Sequence, residues 1–419
     1  MFINVFSRSL LVSLTLLIAG CNGSIQAVSL VEPSDTNSTN NTIDTSAQCD
    51  IGHIQITTDF PAGRIGHCEK SAENIFSLTL IPENTPINSS PWYAFKVQAN
   101  SATQVKINMT VAGDKHRYPP KISSDGKHWT LLPYKMRGEK LVMTLNANSQ
   151  PVYIAAQEII DNQYYVDWGQ EITQSRESER LQYSQQQVVH QLLGESVQGR
   201  PIYKIESYDA AAREQQTTKE WLVVLGRLHP PELTGALALF PFVETLLNNS
   251  DLAKRFRDRY NVLVIPNVNP DGVFKGNWRH NANGLDLNRD WINFSQPETQ
   301  QIHQYLQQLV KQGDKIKFAV DFHSTQEDVF YAMPADYGVE NPLFVKQWLA
   351  HLDEAMPNFS VVVKPGNTPN NGVSKQYFAD NYGVHAVTYE MGDNTDRDKI
   401  NRIAFKAAKT LMQNLLAVK

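Results

Sequence analysis

The stretch Trp221-Leu222-Val223-Val224-Leu225-Gly226-Arg227-Leu228-His229-Pro230-Pro231-Glu232 decides the architecture. Residues 221–226 form an unbroken apolar run, short enough for a strand covered on both faces. The chain then turns polar and reaches Pro231, which suits the first turn of a helix, so a helix is predicted over 231–249. Moving outward, the same pattern recurs. Strands are predicted at 261–265, 318–322 and 385–389, and helices at 298–311, 342–355 and 397–418. Alternation of this kind predicts an α/β region over 165–419, with a mixed, largely parallel sheet flanked by helices. Ligand sites in such sheets lie beyond the carboxyl ends of the strands.

Upstream, residues 49–160 read differently. Apolar and polar residues alternate over 92–97 and 105–111, Asp125-Gly126 marks a hairpin turn within 122–132, and further strands are expected at 141–145 and 152–156. Short strands with frequent turns predict a small antiparallel β-sandwich ahead of the α/β region. Residues 1–20 read as a signal peptide, with Arg8 before an apolar run from Leu10 to Ala19. The ending Leu17-Ile18-Ala19-Gly20-Cys21 resembles a bacterial lipobox, which implies cleavage before Cys21 and its lipidation. The alternative is an ordinary signal peptide with an incidental cysteine. On the lipobox reading the partner is a membrane, reached through the lipid on Cys21. The protein would then sit in the bacterial cell envelope, anchored on the outer membrane and facing the periplasm; Asn22 after the cysteine favours that membrane. Residues 21–48, rich in Ser, Asn and Thr, would form a flexible tether. An exported chain meets an oxidising compartment, so Cys49 and Cys68 are expected to pair as a disulfide, the alternative being two free buried thiols.

Composition removes several function classes. The chain has 419 residues, 41% apolar and 19% charged, which leaves ample material for a core and excludes a disordered polyampholyte. A net charge of −5 without a basic run argues against a nucleic-acid partner. With 11 His and three Cys the chain is neither a Cys-rich zinc finger nor a dense disulfide scaffold, but a site of His and carboxylate ligands stays open.

The chemistry-bearing residues fall at strand ends. His229 follows a buried strand and Glu232 opens the next helix, so an imidazole and a carboxylate stand three residues apart, a spacing able to hold Zn²⁺. A second His-x-x-Glu, His351 with Glu354, has no strand before it and reads as a solvated helix face. Past the second strand come Asn269-Pro270-Asp271-Gly272 and a Gly/Asn-rich loop carrying Arg279, Asp286, Asn288 and Arg289. Guanidinium groups there suit a carboxylate or an oxyanion. His323 ends the third strand. Glu390 ends the fourth, where burial is costly unless the carboxyl has a task.

In this order, His229-x-x-Glu232, Asn269-Pro270-Asp271-Gly272, Asp286-Leu287-Asn288-Arg289, His323-Ser324 and Glu390 resemble the zinc carboxypeptidase (M14) family over about residues 170–419. The segments Trp92-Tyr93-Ala94-Phe95 and Ser124-Asp125-Gly126-Lys127-His128-Trp129 resemble the β-sandwich of the cytosolic-carboxypeptidase-like branch. The resemblance implies a carboxypeptidase fold and one Zn²⁺ per chain, held by His229, Glu232 and His323. It implies Glu390 as general base and proton shuttle, and Arg279 as the group that polarises the scissile carbonyl. Asn288 and Arg289 would grip the substrate's terminal carboxylate, and Asp286 would orient His229. An ungapped count back from Glu390 places Lys375 near the family's specificity position, which implies a preference for acidic terminal residues; the alternative is a lysine that decorates the start of a helix. Two departures stand out. The segment Pro365-Gly366-Asn367-Thr368-Pro369-Asn370-Asn371 lacks the family's mobile tyrosine, Tyr377 and Tyr382 falling in an expected helix, and Pro231 replaces an arginine of the digestive enzymes. The expected function is an exported metallocarboxypeptidase acting on peptides. The alternatives are a carboxypeptidase or amidase acting on muropeptides, and a non-catalytic peptide-binding lipoprotein.

Overall fold

In the computed structural model, eight strands form one sheet, in the order Gln186–Glu195, Pro201–Asp209, Tyr260–Ile265, Glu220–Gly226, Lys315–Thr325, Ala386–Gly392, Val329–Ala332 and Val363–Pro365. The described residues are 49–183, 186–215 and 217–418. The signal at 1–20, the tether at 21–48 and Cys21 lie outside them.

The four central strands run parallel, and antiparallel strands flank them on both sides. The sheet is therefore mixed and largely parallel at its centre, as the strand–helix alternation predicts. The outer hairpin of Gln186–Glu195 and Pro201–Asp209 has no continuous apolar run to announce it, because its first strand lies at the sheet edge and is only partly covered, and its second buries Lys204, Glu206 and Ser207. Side chains alternate between two buried faces along the central strands. Leu222 and Val224 pack into one core with helices Leu233–Leu247 and Arg397–Ala417, while Trp221, Val223 and Leu225 pack into a second core with helix Pro297–Lys311. Both faces of Glu220–Gly226 are thus covered, which explains its unbroken apolar run.

One helix start differs from expectation. Pro231 does not lie in the first helical turn; Pro230 and Pro231 sit in a turn, Glu232 takes the N-cap position, and the helix runs Leu233–Leu247. The reason is local: this tight turn is what aims the Glu232 side chain toward the sheet.

The helix approaches the sheet closely. A Cβ on Gly235 would stand 2.4 Å from the His323 carbonyl oxygen, so only glycine fits there. The Ser324 hydroxyl accepts from Gly235 N at 2.8 Å and lies 2.8 Å from Thr234 Oγ1. These contacts fix Glu232 against His323.

Residues 49–155 form two further sheets of six and five strands around an apolar core that includes Phe76, Trp92, Phe95 and Ile107. Asp125-Gly126 lies between Lys121–Ser123 and Thr130–Leu131, which pair antiparallel. The six-stranded sheet is antiparallel throughout. The five-stranded sheet departs from the antiparallel expectation at one pair, Ile75–Leu80 with Thr103–Val111. The chain between them crosses to the other sheet as Ala94–Ala99, and such a crossover is what permits parallel pairing. Cys49 and Cys68 are joined by a disulfide with their Cα atoms 5.7 Å apart. Among the described residues no helix is long and apolar enough to cross a membrane.

Candidate metal centre and active site

His229 follows strand Glu220–Gly226 by a strained turn. Arg227 takes a left-handed conformation with φ 57°, and its buried guanidinium donates to the Pro230 carbonyl at 2.8 Å and the Tyr165 hydroxyl at 2.9 Å. Asn269 braces the same turn by donating to the Leu228 carbonyl at 3.1 Å. Asp271 faces away from the site, toward Ser196 and Arg200. The neighbouring strands supply the other groups: His323 lies on Lys315–Thr325, directly across the ladder from Glu390 on Ala386–Gly392.

The Glu232 carboxylate stands between two imidazoles. Its Oε1 lies 2.8 Å from His229 Nδ1 and its Oε2 lies 2.7 Å from His323 Nδ1. One donor atom from each of the three residues lies within 4.8 Å of the others. The far side of each ring meets another carboxylate: His229 Nε2 is 2.9 Å from Asp286 Oδ1, and His323 Nε2 is 2.9 Å from Asp321 Oδ2. All three candidate ligands are buried.

This donor set fits zinc. Two imidazole nitrogens and a carboxylate converge, and each ring is oriented through its other nitrogen by an acid, as in carboxylate–histidine–metal arrangements. The electrostatics point the same way. Burial opposes charge on both rings, yet Glu232 and Asp286 hold His229 above its ordinary range, and Asp321 and Glu232 hold His323 well above it. Glu232 is held well below the usual carboxylate range by the two histidines despite its burial. A pocket that favours protons so strongly on its imidazoles favours a cation.

His229, Glu232, Arg279, Asn288, Arg289, His323, Lys375 and Glu390 line one cavity of about 390 Å³. Glu390 Oε2 is buried, with no hydrogen-bond partner among the described residues. Burial and the Glu232 carboxylate push Glu390 up to about 7, against the pull of His323, His229 and Arg117. Arg279 donates from Nε to Asp286 Oδ2 at 2.6 Å, so Asp286 links it to His229. Arg289 bonds the Asn288 carbonyl at 2.7 Å. Asn288 Oδ1 is taken by Ser374 N at 2.9 Å, which leaves its Nδ2, 3.5 Å from His323 Nε2, as the amide's donor. Gly372, at φ +65°, packs where a Cβ would stand 2.2 Å from the Arg289 carbonyl oxygen, and it holds the loop that closes this wall. Lys375 lies in the first turn of Ser374–Tyr382, buried, and donates to the Ala332 carbonyl at 3.2 Å and to the Gly366 carbonyl. Burial lowers it to about 8.

Several groups of the site are not marked in the sequence reading. Asp321 stands two residues before His323, on the same strand face, and that spacing is a usable signal. Tyr331 lines the cavity, whereas Tyr377 and Tyr382 bond each other at 2.8 Å and do not line it. Asn88 and Arg117, from the sandwich region, also line the cavity. Arg117 pairs with Asp393 at 2.6 Å and donates to the Ser324 carbonyl at 3.1 Å. No sequence spacing connects residues 276 positions apart.

The zinc carboxypeptidase family model matches residues 176–411, and the cytosolic carboxypeptidase N-terminal domain model matches residues 56–156. Mouse cytosolic carboxypeptidase 6 is 22% identical over 289 residues, covering 66% of this chain and 54% of that protein, so the chain spans about half the length of this relative. A metallo-carboxypeptidase from Burkholderia cenocepacia superposes with TM-score 0.71 at 17% identity, covering 88% of this chain and 100% of that one. A metallo-carboxypeptidase from Pseudomonas aeruginosa, solved with (2-guanidinoethylmercapto)succinic acid, superposes with TM-score 0.66 at 20% identity, covering 87% and 100%.

Proposed function

The chain belongs to the zinc carboxypeptidase family, with a cytosolic carboxypeptidase N-terminal domain ahead of the peptidase region, and from that membership we propose that it is a zinc-dependent metallocarboxypeptidase that removes the C-terminal residue of peptides. The observation that carries the reading is the convergence of His229, Glu232 and His323 on one point, in a cavity that also holds Glu390, Arg279 and Arg289.

Each residue has a task on this reading. His229, Glu232 and His323 would hold zinc, which supplies Lewis acidity at the scissile carbonyl and acidifies water. Arg289, with the Asn288 amide, holds the terminal carboxylate of the peptide and so places its last bond in the cavity. Arg279, anchored through Nε, presents its remaining N–H groups to the carbonyl oxygen, where negative charge develops. Glu390 accepts a proton from the attacking water at its unpartnered oxygen and delivers it to the departing amine. Asp286 holds the His229 ring and the Arg279 guanidinium in a fixed relation.

We further propose that the protein is exported to the bacterial envelope and anchored by lipid at Cys21. Support comes from the apolar run over 10–19 just ahead of Cys21 and from the Cys49–Cys68 disulfide, which belongs to an oxidising compartment. A preference for acidic terminal residues is proposed from Lys375, a cation on the cavity wall whose bonds go to carbonyls and not to a carboxylate.

The test is release of the terminal amino acid from peptides ending in Glu, Leu or Lys, with muropeptides as a parallel arm. Chelation is expected to abolish release and Zn²⁺ to restore it, with the Glu peptide cleaved fastest. Release that chelator leaves intact would sink the metallopeptidase reading; release from muropeptides alone would replace the substrate.

A further inference from the structure

The loop that carries Arg279 is gripped from the sandwich region by one carboxylate. Glu83 follows strand Ile75–Leu80, and its side chain is largely buried. Its Oε2 accepts from Trp278 N at 2.7 Å; its Oε1 accepts from Arg279 N at 2.9 Å and His280 N at 2.8 Å. The His280 ring Nδ1 lies 2.9 Å from the same Oε1. Consecutive N–H groups converging on one anion form a concave nest. The segment belongs to no helix or strand, so these donors have no ladder partner. Removing the carboxylate would leave inward-facing N–H groups unpaired, which the chain avoids at the cost of moving its backbone.

Other contacts tie the same loop to the sandwich. Trp278 is buried within the sandwich core, and its Nε1 donates to the Trp92 carbonyl at 3.1 Å. Asn84 donates to the Gly284 carbonyl at 2.6 Å, and Arg64 donates to Asn277 Oδ1 at 3.2 Å. Glu83 differs from these in gripping the peptide units on both sides of the Arg279 Cα, and hence the direction in which that side chain leaves the backbone.

We propose that Glu83 is a positioning residue for the peptidase reaction: by binding the backbone N–H groups of Trp278, Arg279 and His280, it sets the placement of Arg279 in the cavity. This rests on the carboxypeptidase reading above. It gives the sandwich region a defined part in the reaction: it completes the support of a group on which carbonyl polarisation depends.

The experiment is a double-mutant cycle in the full chain, with hydrogen exchange read on the same variants. Glu83→Gln keeps the volume but turns an amide N–H₂ toward a backbone donor. Expected is a fall in kcat of about ten- to a hundredfold, the scale of a misplaced catalytic group, with zinc content unchanged. In an Arg279→Ala background the same substitution is expected to change kcat less than about twofold, since residues acting as a unit are not additive. Lost folded protein would instead lower activity by the same factor in both backgrounds, and that additivity, or an unchanged kcat in Glu83→Gln, would overturn the proposal. Should Glu83→Gln fail to fold, Glu83→Asp, which keeps the charge and retracts it by one methylene, takes its place. Amide exchange over residues 276–282 is expected to accelerate in either variant and not in Glu69→Gln, an exposed sandwich carboxylate. Exchange matching the wild type would refute the clamp whatever the activity. If no peptide is cleaved, the carboxypeptidase reading fails while the exchange arm still decides whether Glu83 holds the loop.

Discussion

Glu390 has one carboxylate oxygen with no partner among the described residues, an arrangement that costs free energy unless the oxygen meets something transient. Glu390→Gln retains shape and removes the proton acceptor. Turnover is expected to fall ~10²-fold or more, the scale of general-base catalysis, while zinc content and substrate binding persist; near-normal kcat would place the base elsewhere. Asp393 is a poor substitute because Arg117 already engages both its oxygens. Lys375 makes a second test. Burial lowers its ammonium to about 8, so it is charged below that pH and neutral above it. The kcat/KM advantage of Glu-ended over Leu-ended peptides should therefore fade as pH rises from 7 to 9, and should be absent at both in Lys375→Ala. An advantage that holds flat across that range would free Lys375 of the role. His229, Glu232, His323 and Glu390 were legible in the sequence because each ends or follows a strand whose apolar run is unmistakable. Asp321 was missed because it sits inside such a run; its spacing of two residues from His323 is the signal that points to it, and the ring it orients gives that spacing its meaning.

At the scale of elements, the site depends on how closely helix Leu233–Leu247 approaches strand Lys315–Thr325. Gly235→Ala would drive a methyl into the His323 backbone, so the helix must move out or the strand must bend. A loss of roughly 1–3 kcal/mol in unfolding free energy is expected from overpacking of this kind, together with weaker zinc retention against a competing chelator. Zinc retention unchanged in the folded variant would mean that Glu232 does not need this contact. The central strands and major helices were legible because burial on two faces, or on one helical stripe, leaves a period in the sequence. The edge hairpin of Gln186–Glu195 and Pro201–Asp209 was not, since the first strand is only partly covered and the second buries Lys204, Glu206 and Ser207 among its apolar residues. The parallel pair of Ile75–Leu80 with Thr103–Val111 was equally invisible, because pairing partners follow from the crossover and not from either strand.

For the whole molecule, the sandwich and peptidase regions share charge pairs as well as apolar contacts. Burial resists the charge on Glu83, but the His280 ring, the Arg64 guanidinium and the N–H groups of His280 and Trp278 hold it from 4.5 down to about 2. A carboxyl depressed on folding contributes stability above its unfolded value and loses it as pH falls through the folded one. The stability gap between wild type and Glu83→Gln should therefore narrow by roughly 2 kcal/mol between pH 6 and pH 3, read by denaturant titration. A gap independent of pH would show that the charge is not held this way. Trp278, although it sits in the peptidase region of the chain, fills a place in the sandwich core. The contacts that join the regions were not legible, since they link residues about two hundred positions apart. Asn88 and Arg117 reach the cavity wall by the same route, and this bears on inhibitor chemistry. A compound that only chelates zinc and fills the terminal-carboxylate subsite would meet groups any carboxypeptidase can present. The Arg117 guanidinium is already engaged by Asp393, Ser89, Ser90 and Ser324, so a compound extended toward Asn88 would address a side chain that a single-domain peptidase has no sandwich to supply, and selectivity could be designed there.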